Sequence, residues 1–489
     1  MKTLRLYLSK YQQLPVQLKA SVWFFICAFL QKAVAMISTP IFTRLMTTTE
    51  YGQYNVFNSW MDIIGLLVSL CLYGGVYMQG LVKFEERRAL FSSSIQTLTL
   101  ALVLVWSAVY AAGYRFWNGV FCLSTTQMVC MFLLIWLSAV FSFWSSEQRV
   151  DYKYRTLVTV CLIAAVLQPL VGILFVVASA DKVTARIVGL VLVDFICFSW
   201  MFWCQIRRGK YKISLGFWKY ALLFNIPLVP HYLSQVVLNN SDRIMIGKMI
   251  GDSQAGIYSL AYSVALIMSL FNIALRQTLD PWIYQQIKAK QINKLAPVVY
   301  SALIFVAGVN LCLIMCAPEV VAFFAPPSYY QAIWIIPPVT MSVYLIFCYD
   351  IFAKFAFYYE KTVYIMTASV IGAAANIVLN FWLLPVFGYI AAGYTTLLCY
   401  LLYVVFHYVF MNKICNTYCD NARPYRLQTI LRLTGIFFLL SFMVLFTYHY
   451  NPLRYGAILI LAVVCLQKRR AILSFVYQLK AQISAKACR

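Results

Sequence analysis

Leu157-Val-Thr-Val-Cys-Leu-Ile-Ala-Ala-Val-Leu-Gln-Pro-Leu-Val-Gly-Ile-Leu-Phe-Val-Val-Ala178 runs for a full bilayer's length without one charged side chain. At a rise of about 1.5 Å per residue it makes a helix of about 33 Å, matching the hydrocarbon thickness of a membrane. Similar runs lie near 20–41, 57–82, 90–112, 120–143, 185–206, 220–246, 254–276, 296–316, 333–353, 362–384, 389–411, 428–449 and 453–467. That gives about 14 transmembrane helices, or thirteen if one of two weaker segments fails. The last is short, and 220–246 carries the polar run Asn239-Asn240-Ser241-Asp242-Arg243. With 63% hydrophobic and 11% charged residues in 489, no water-soluble core could hide this much apolar surface. The chain reads as an all-α polytopic membrane protein.

Charge sets its expected orientation. Thirty of the 39 Lys and Arg residues fall in alternate connections that share one side with both termini, and seven fall on the other side. Cytoplasmic loops retain positive charge, so both termini are expected in the cytoplasm. The net charge of +24 is thus spread over many short loops and does not form a nucleic-acid-binding face. The first apolar stretch lacks a cleavage pattern and is expected to remain as a helix. The fifteen cysteines lie mostly in apolar runs without a CxxC pair, as small buried hydrophobes do.

The connections, the longest near 277–295 and 412–427, are too short to fold as a catalytic domain. No phosphate loop, zinc helix or nucleophile elbow is present, and there are three histidines only, His231, His407 and His449. The expectation is a protein that is not an enzyme and carries no cofactor or metal.

The chain also repeats itself. Arg44-Leu-Met-Thr-Thr-Thr-Glu-Tyr-Gly52-Gln-Tyr54 is echoed by Lys248-Met-Ile-Gly-Asp-Ser-Gln-Ala-Gly256-Ile-Tyr258, with the basic residue, the Gly and the Tyr each displaced by 204. Each copy follows an odd-numbered span, so an even number of spans separates them. This predicts a parallel repeat of six spans, giving lobes over 1–212 and 213–412, with two extra helices and a basic tail over 413–489.

Ser38-Thr-Pro-Ile-Phe-Thr-Arg-Leu-Met-Thr-Thr-Thr-Glu-Tyr-Gly-Gln-Tyr54, Asn240-Ser-Asp-Arg-Ile-Met-Ile-Gly247 and Ala255-Gly-Ile-Tyr258 resemble the polysaccharide-transporter branch of the multidrug/oligosaccharidyl-lipid/polysaccharide (MOP) exporter superfamily, which holds the O-antigen and capsule flippases. The resemblance implies two six-helix lobes around a central cavity that opens alternately to either face. It implies an undecaprenyl-diphosphate-linked oligosaccharide as substrate, moved to the periplasmic leaflet of the bacterial inner membrane for O-antigen, capsule or exopolysaccharide synthesis, with polysaccharide assembly proteins as partners. A cation-coupled drug antiporter of the same superfamily is the nearest alternative. A membrane polysaccharide polymerase is a more distant one, lacking here the acidic cluster or large loop of such enzymes.

Ionisable residues inside spans are the functional candidates, because each costs several kcal/mol unless it faces a cavity or a partner. Lys32 lies about 18 Å into the first span, too deep to snorkel. It is expected to line the cavity or to pair with Asp62 or Asp194, and the resemblance favours a cavity cation that receives diphosphate. Asp242 and Arg243 map by the offset of 204 onto Ser38 and Thr39, inside span 1. Adjacent on a helix, the two point about 100° apart and are expected to seek different partners. Arg276 and Asp280 are spaced as an (i, i+4) pair, with diphosphate capture by Arg276 as the functional alternative. Asp350 and Lys354 have the same spacing, and Glu360 ranks lower. His231, beside Pro227 and Pro230, is a candidate coupling residue, and those prolines are expected to bend span 7.

Overall fold

The computed structural model describes residues 15–467. Helices account for nearly all of it, and twelve of them among the described residues are long and apolar enough to cross a membrane. The chain divides into two compact units at Asn240/Ser241.

The first unit contains α1 (Val16–Leu45), α2 (Thr48–Ser69), α3 (Gly75–Lys83), α4 (Arg88–Ala112), α5 (Tyr114–Phe121), α6 (Thr125–Val150), α7 (Tyr154–Ala178), α8 (Lys182–Arg208) and α9 (Leu215–Asn225). Then comes α10 (Val229–Met249), within which the boundary falls. The second unit continues with α11 (Asp252–Ala265), α12 (Ser269–Lys288), α13 (Leu295–Met315), α14 (Ala317–Phe324), α15 (Ile336–Tyr358), α16 (Thr362–Phe387), α17 (Ala391–Tyr418), α18 (Leu427–Thr447) and α19 (Asn451–Gln467).

Local chemistry explains the punctuation. Thr47 opens α2 with a capping box, its hydroxyl accepting from the Glu50 amide while the Glu50 carboxylate accepts from the Thr47 amide. Ser124 and Gln127 do the same for α6. The single span expected over 57–82 is broken: Leu70 and Cys71 take left-handed backbone conformations, and α2 and α3 are separate helices. The Asn225 amide donates to the Leu70 carbonyl that the break leaves exposed. In span 7, where the prolines were expected to bend the helix, Ile226–Leu228 forms a 3-10 turn between α9 and α10. The polar run 239–243 continues as helix within α10. The loop expected from 277 is instead helix as far as Lys288, and α19 is described over Asn451–Gln467. Among the described residues twelve spans are found by length and hydropathy.

The repeat is visible in the element order. Helix α1 ends at Leu45 and α10 at Met249, while α2 begins at Thr48 and α11 at Asp252; both pairs keep the offset of 204. The short helices α5 and α14, eight residues each, follow corresponding spans.

In lipid there is no hydrophobic gain from joining helices, so close packing must hold them. A Cβ on Gly189 of α8 would lie 3.4 Å from the Gly172 Cα of α7, so the two backbones approach closely there. Trp144, Met201, Leu157 and Leu137 fill the seam joining α6, α7 and α8. In the second unit α15 is buried nearly all round, packed by α13, α16 and α17. Large apolar side chains such as Leu174, Val177, Phe381 and Phe446 stand exposed, as lipid-facing residues do.

Candidate functional site

A buried, densely hydrogen-bonded polar cluster lies in the second unit, where α10, α11, α16 and α17 meet. The Asp242 carboxylate, 1% exposed, accepts hydrogen bonds from the Tyr258 hydroxyl, the Thr396 hydroxyl and the Asn380 amide, each at 2.6 Å. Asn380 in turn accepts from Thr395 at 2.6 Å, and Asn376 accepts from Ser241 at 2.8 Å. All the donors to Asp242 are neutral. Burying a carboxylate is costly unless it is hydrogen-bonded, and three neutral donors meet that need here. Its neighbour Arg243 turns away and lies over the Tyr262 ring, 4.6 Å from its centroid.

A second group lines the seam of α12 and α15. Arg276 lies 3.2 Å from Asp350, and Lys354 lies 2.8 Å from Asp280 and 3.0 Å from Asp350. One rung further, Tyr284 stacks on Tyr358 with centroids 6.1 Å apart. The three rungs share an offset of 74 between the helices. This corrects the expected Arg276–Asp280 pair: a neighbouring helix offers each of them a closer partner than one turn of its own does. Asp350 and Lys354 do pair within α15 as their spacing predicts.

The first unit encloses a cavity of about 430 Å³, within the usual range of small-ligand sites. Its walls come from α1, α2, α6, α7 and α8 and include Gln31, Ser38, Gln168, Arg186 and Asp194. The Arg186 guanidinium is sandwiched between Phe42 and Tyr54, 3.6 Å from each ring centroid. Asp194, 5% exposed, accepts from the Gln168 amide at 2.6 Å.

Lys32 is exposed on α1 and is not among the residues lining this cavity, although Gln31 beside it is. No ion pair joins Lys32 to Asp62 or Asp194 among the described residues. Asp62 is exposed on α2, and His231 is half-buried beside Tyr232. The residues that sequence reasoning passed over are Arg186, counted as a loop charge, and the uncharged Asn376, Asn380, Thr395 and Thr396. Among the described residues no three His, Cys, Asp or Glu side chains gather to hold a metal.

The sequence profile of the polysaccharide biosynthesis protein family matches residues 18–287, more than half of the chain. The chain belongs to that family, within the MOP exporter superfamily. A MatE profile also matches residues 227–382. Lsg locus protein 1 of Haemophilus influenzae is 22% identical over 377 residues, covering 72% of this chain and 88% of that protein. Among solved structures, the lipid II flippase MurJ in an inward closed conformation superposes with a TM-score of 0.66 at 14% identity, covering 92% of this chain and all of MurJ. An inward-facing multidrug resistance MATE family transporter gives 0.59 at 11% identity over 81% of this chain and 99% of that one. At such identities these structures establish the fold: this family member is a multi-pass membrane protein built as MOP transporters are.

Proposed function

We propose that this member of the polysaccharide biosynthesis protein family is a flippase. It moves an undecaprenyl-diphosphate-linked oligosaccharide from the cytoplasmic to the periplasmic leaflet of the inner membrane by alternating access, with both termini in the cytoplasm, for O-antigen, capsule or exopolysaccharide synthesis. The observation that carries the reading is the family match over residues 18–287. A cavity that carries Gln31, Ser38, Gln168, Arg186 and Asp194 among apolar residues, inside a unit with apolar outer faces, fits it, since a charged headgroup bearing sugars cannot shed its water to cross hydrocarbon unaided.

In this reading the glycan and diphosphate travel in polar surroundings while the polyprenyl tail stays in lipid. Arg276, whose side chain is 37% exposed, is the cation to meet diphosphate, and Asp350 holds it in the meantime. Asp242 replaces His231 as the preferred coupling residue, because its carboxylate is fully enclosed and its donors are neutral, whereas His231 is only half-buried. A host lacking the protein should accumulate lipid-linked repeat units on the cytoplasmic leaflet, and Arg276→Ala should reproduce that defect. Unchanged surface polysaccharide together with lost drug efflux would instead support the antiporter alternative.

A further inference from the structure

The first unit carries a second hollow, a groove of about 640 Å³ between α4 and α6. Its walls run antiparallel, from Leu100 to Ala111 on α4 and from Thr125 to Trp136 on α6. At about 1.5 Å per residue each wall is about 16 Å long, half of the roughly 30 Å of hydrocarbon in a bilayer. The sides are apolar, with Leu104, Val129 and Leu133 standing exposed in the groove. Its mouth is polar. There Asn118 of α5 bridges the two walls, accepting from the Tyr110 hydroxyl at 2.9 Å and donating to the Thr125 hydroxyl at 2.9 Å. The rings of Tyr114 and Phe116 stand exposed on α5, as aromatic side chains do at headgroup level.

Two groups at this end have donors without acceptors. Arg115 donates from Nε to the Tyr114 hydroxyl at 3.1 Å and lies 5.8 Å from that ring's centroid, while its terminal nitrogens have no partner among the described residues. Ser107 lines the groove about 6 Å deeper on α4 than Ala111, and its hydroxyl has no partner among the described residues either. A matching ligand therefore presents an anion at the mouth, a carbonyl about one helical turn below it, and an apolar chain that ends near the midplane. A glycerophospholipid with a net negative headgroup carries a phosphate, ester carbonyls and acyl chains in that order. An undecaprenyl chain is far longer than one leaflet and has no ester, and a zwitterionic lipid brings a cation of its own to Arg115. We infer that α4, α5 and α6 hold an anionic glycerophospholipid of the leaflet on the α5 side, with Arg115 on its phosphate, Ser107 on an ester carbonyl and one acyl chain between the walls. The site is separate from the transported lipid, and the inference needs only the membrane setting of the chain.

Photocrosslinking of the full chain in phosphatidylcholine nanodiscs tests it, with phosphatidylglycerol bearing a diazirine midway along one acyl chain as the probe and peptide mapping as the readout. Label is expected on Leu104, Val129 and Leu133 well above that on Leu174 and Val177, which stand exposed on α7. Unlabelled phosphatidylglycerol should displace the probe about tenfold more effectively than phosphatidylethanolamine, the factor that one charged hydrogen bond supplies. Arg115→Gln, at an exposed position where folding is not at stake, should erase that difference. Ser107→Ala should weaken displacement by ester-linked phosphatidylglycerol and leave its ether-linked analogue unchanged. Label spread evenly over the lipid-facing helices, equal displacement by the two phospholipids, a preference untouched by Arg115→Gln, or stronger displacement by undecaprenyl phosphate overturns the inference.

Discussion

Replacing Lys354 with Met tests whether the α12/α15 ladder is an integral part of the second unit. The Lys354 side chain is 6% exposed and its ammonium lies 2.8 Å from Asp280 and 3.0 Å from Asp350, so its loss strands two carboxylates. Removing one partner of a fully buried ion pair costs about 3–5 kcal/mol, whereas a solvent-exposed pair contributes about 0–1 kcal/mol. Two features moderate the buried figure: Asp280 is 25% exposed and can recover some hydration, and Asp350 keeps Arg276 at 3.2 Å. About 2–3 kcal/mol is therefore expected for Lys354→Met. The double variant Lys354→Met/Asp280→Asn restores charge balance and should cost less than the two single losses added together, with a coupling of about 1–2 kcal/mol. Reversible unfolding of the full chain in mixed micelles by increasing SDS, followed by tryptophan fluorescence on all four proteins, measures this. Additivity within about 0.5 kcal/mol would show that Lys354 and Asp280 act independently and would refute the ladder.

Asp242→Ala removes the acceptor of three buried donors at about 1–3 kcal/mol each; since the Tyr258 and Thr396 hydroxyls can rotate, about 3 kcal/mol in the same unfolding assay is expected. Gly372→Ala should destabilise by about 1–3 kcal/mol, because the new Cβ would lie 2.0 Å from the Tyr403 ring and force α16 and α17 apart. Gly435→Ala, inside α18 with nothing within 4 Å of its Cβ, should instead stabilise by about 0.5 kcal/mol. In the turn between α6 and α7, burial alone would raise the Asp151 carboxyl, but hydrogen bonds and charges from Lys153 and Arg88 hold it below the usual carboxylate range. A lowered folded value stabilises above the ordinary carboxylate pKa and is lost as pH falls through it. Acid unfolding of Asp151→Asn should therefore be less steep in pH below about pH 4, and an identical profile would show that the pair contributes nothing.

Length and hydropathy were enough to determine the class, because a bilayer leaves a helix no alternative to satisfying its own backbone. The repeat left a trace in the sequence because Gly52/Gly256 and Tyr54/Tyr258 occupy matching places in the first turns of α2 and α11, both helices starting 204 residues apart. Pro227 pointed to the place in span 7 where α-helix gives way to the 3-10 turn, because proline removes a backbone donor wherever it sits. The break at Leu70–Cys71 gave no such warning, since left-handed backbone at non-glycine residues is imposed by packing and by the Asn225 cap.

Partners were what tertiary structure alone decided. Spacing within one helix suggested that Arg276 bonds Asp280, yet the choice was made by α15, which lies 74 residues away and presents Asp350 and Lys354 at matching height. Uncharged Asn376, Asn380, Thr395 and Thr396 carry no signal in a chain read for charge, and they matter only because three helices bring them to one carboxylate. Arg186 looked like an orienting loop residue until two rings from α1 and α2 closed on its faces. Composition and period are properties of the chain and can be read along it, whereas a polar group's role depends on which neighbours share its low-dielectric space, and that is fixed only when the helices pack.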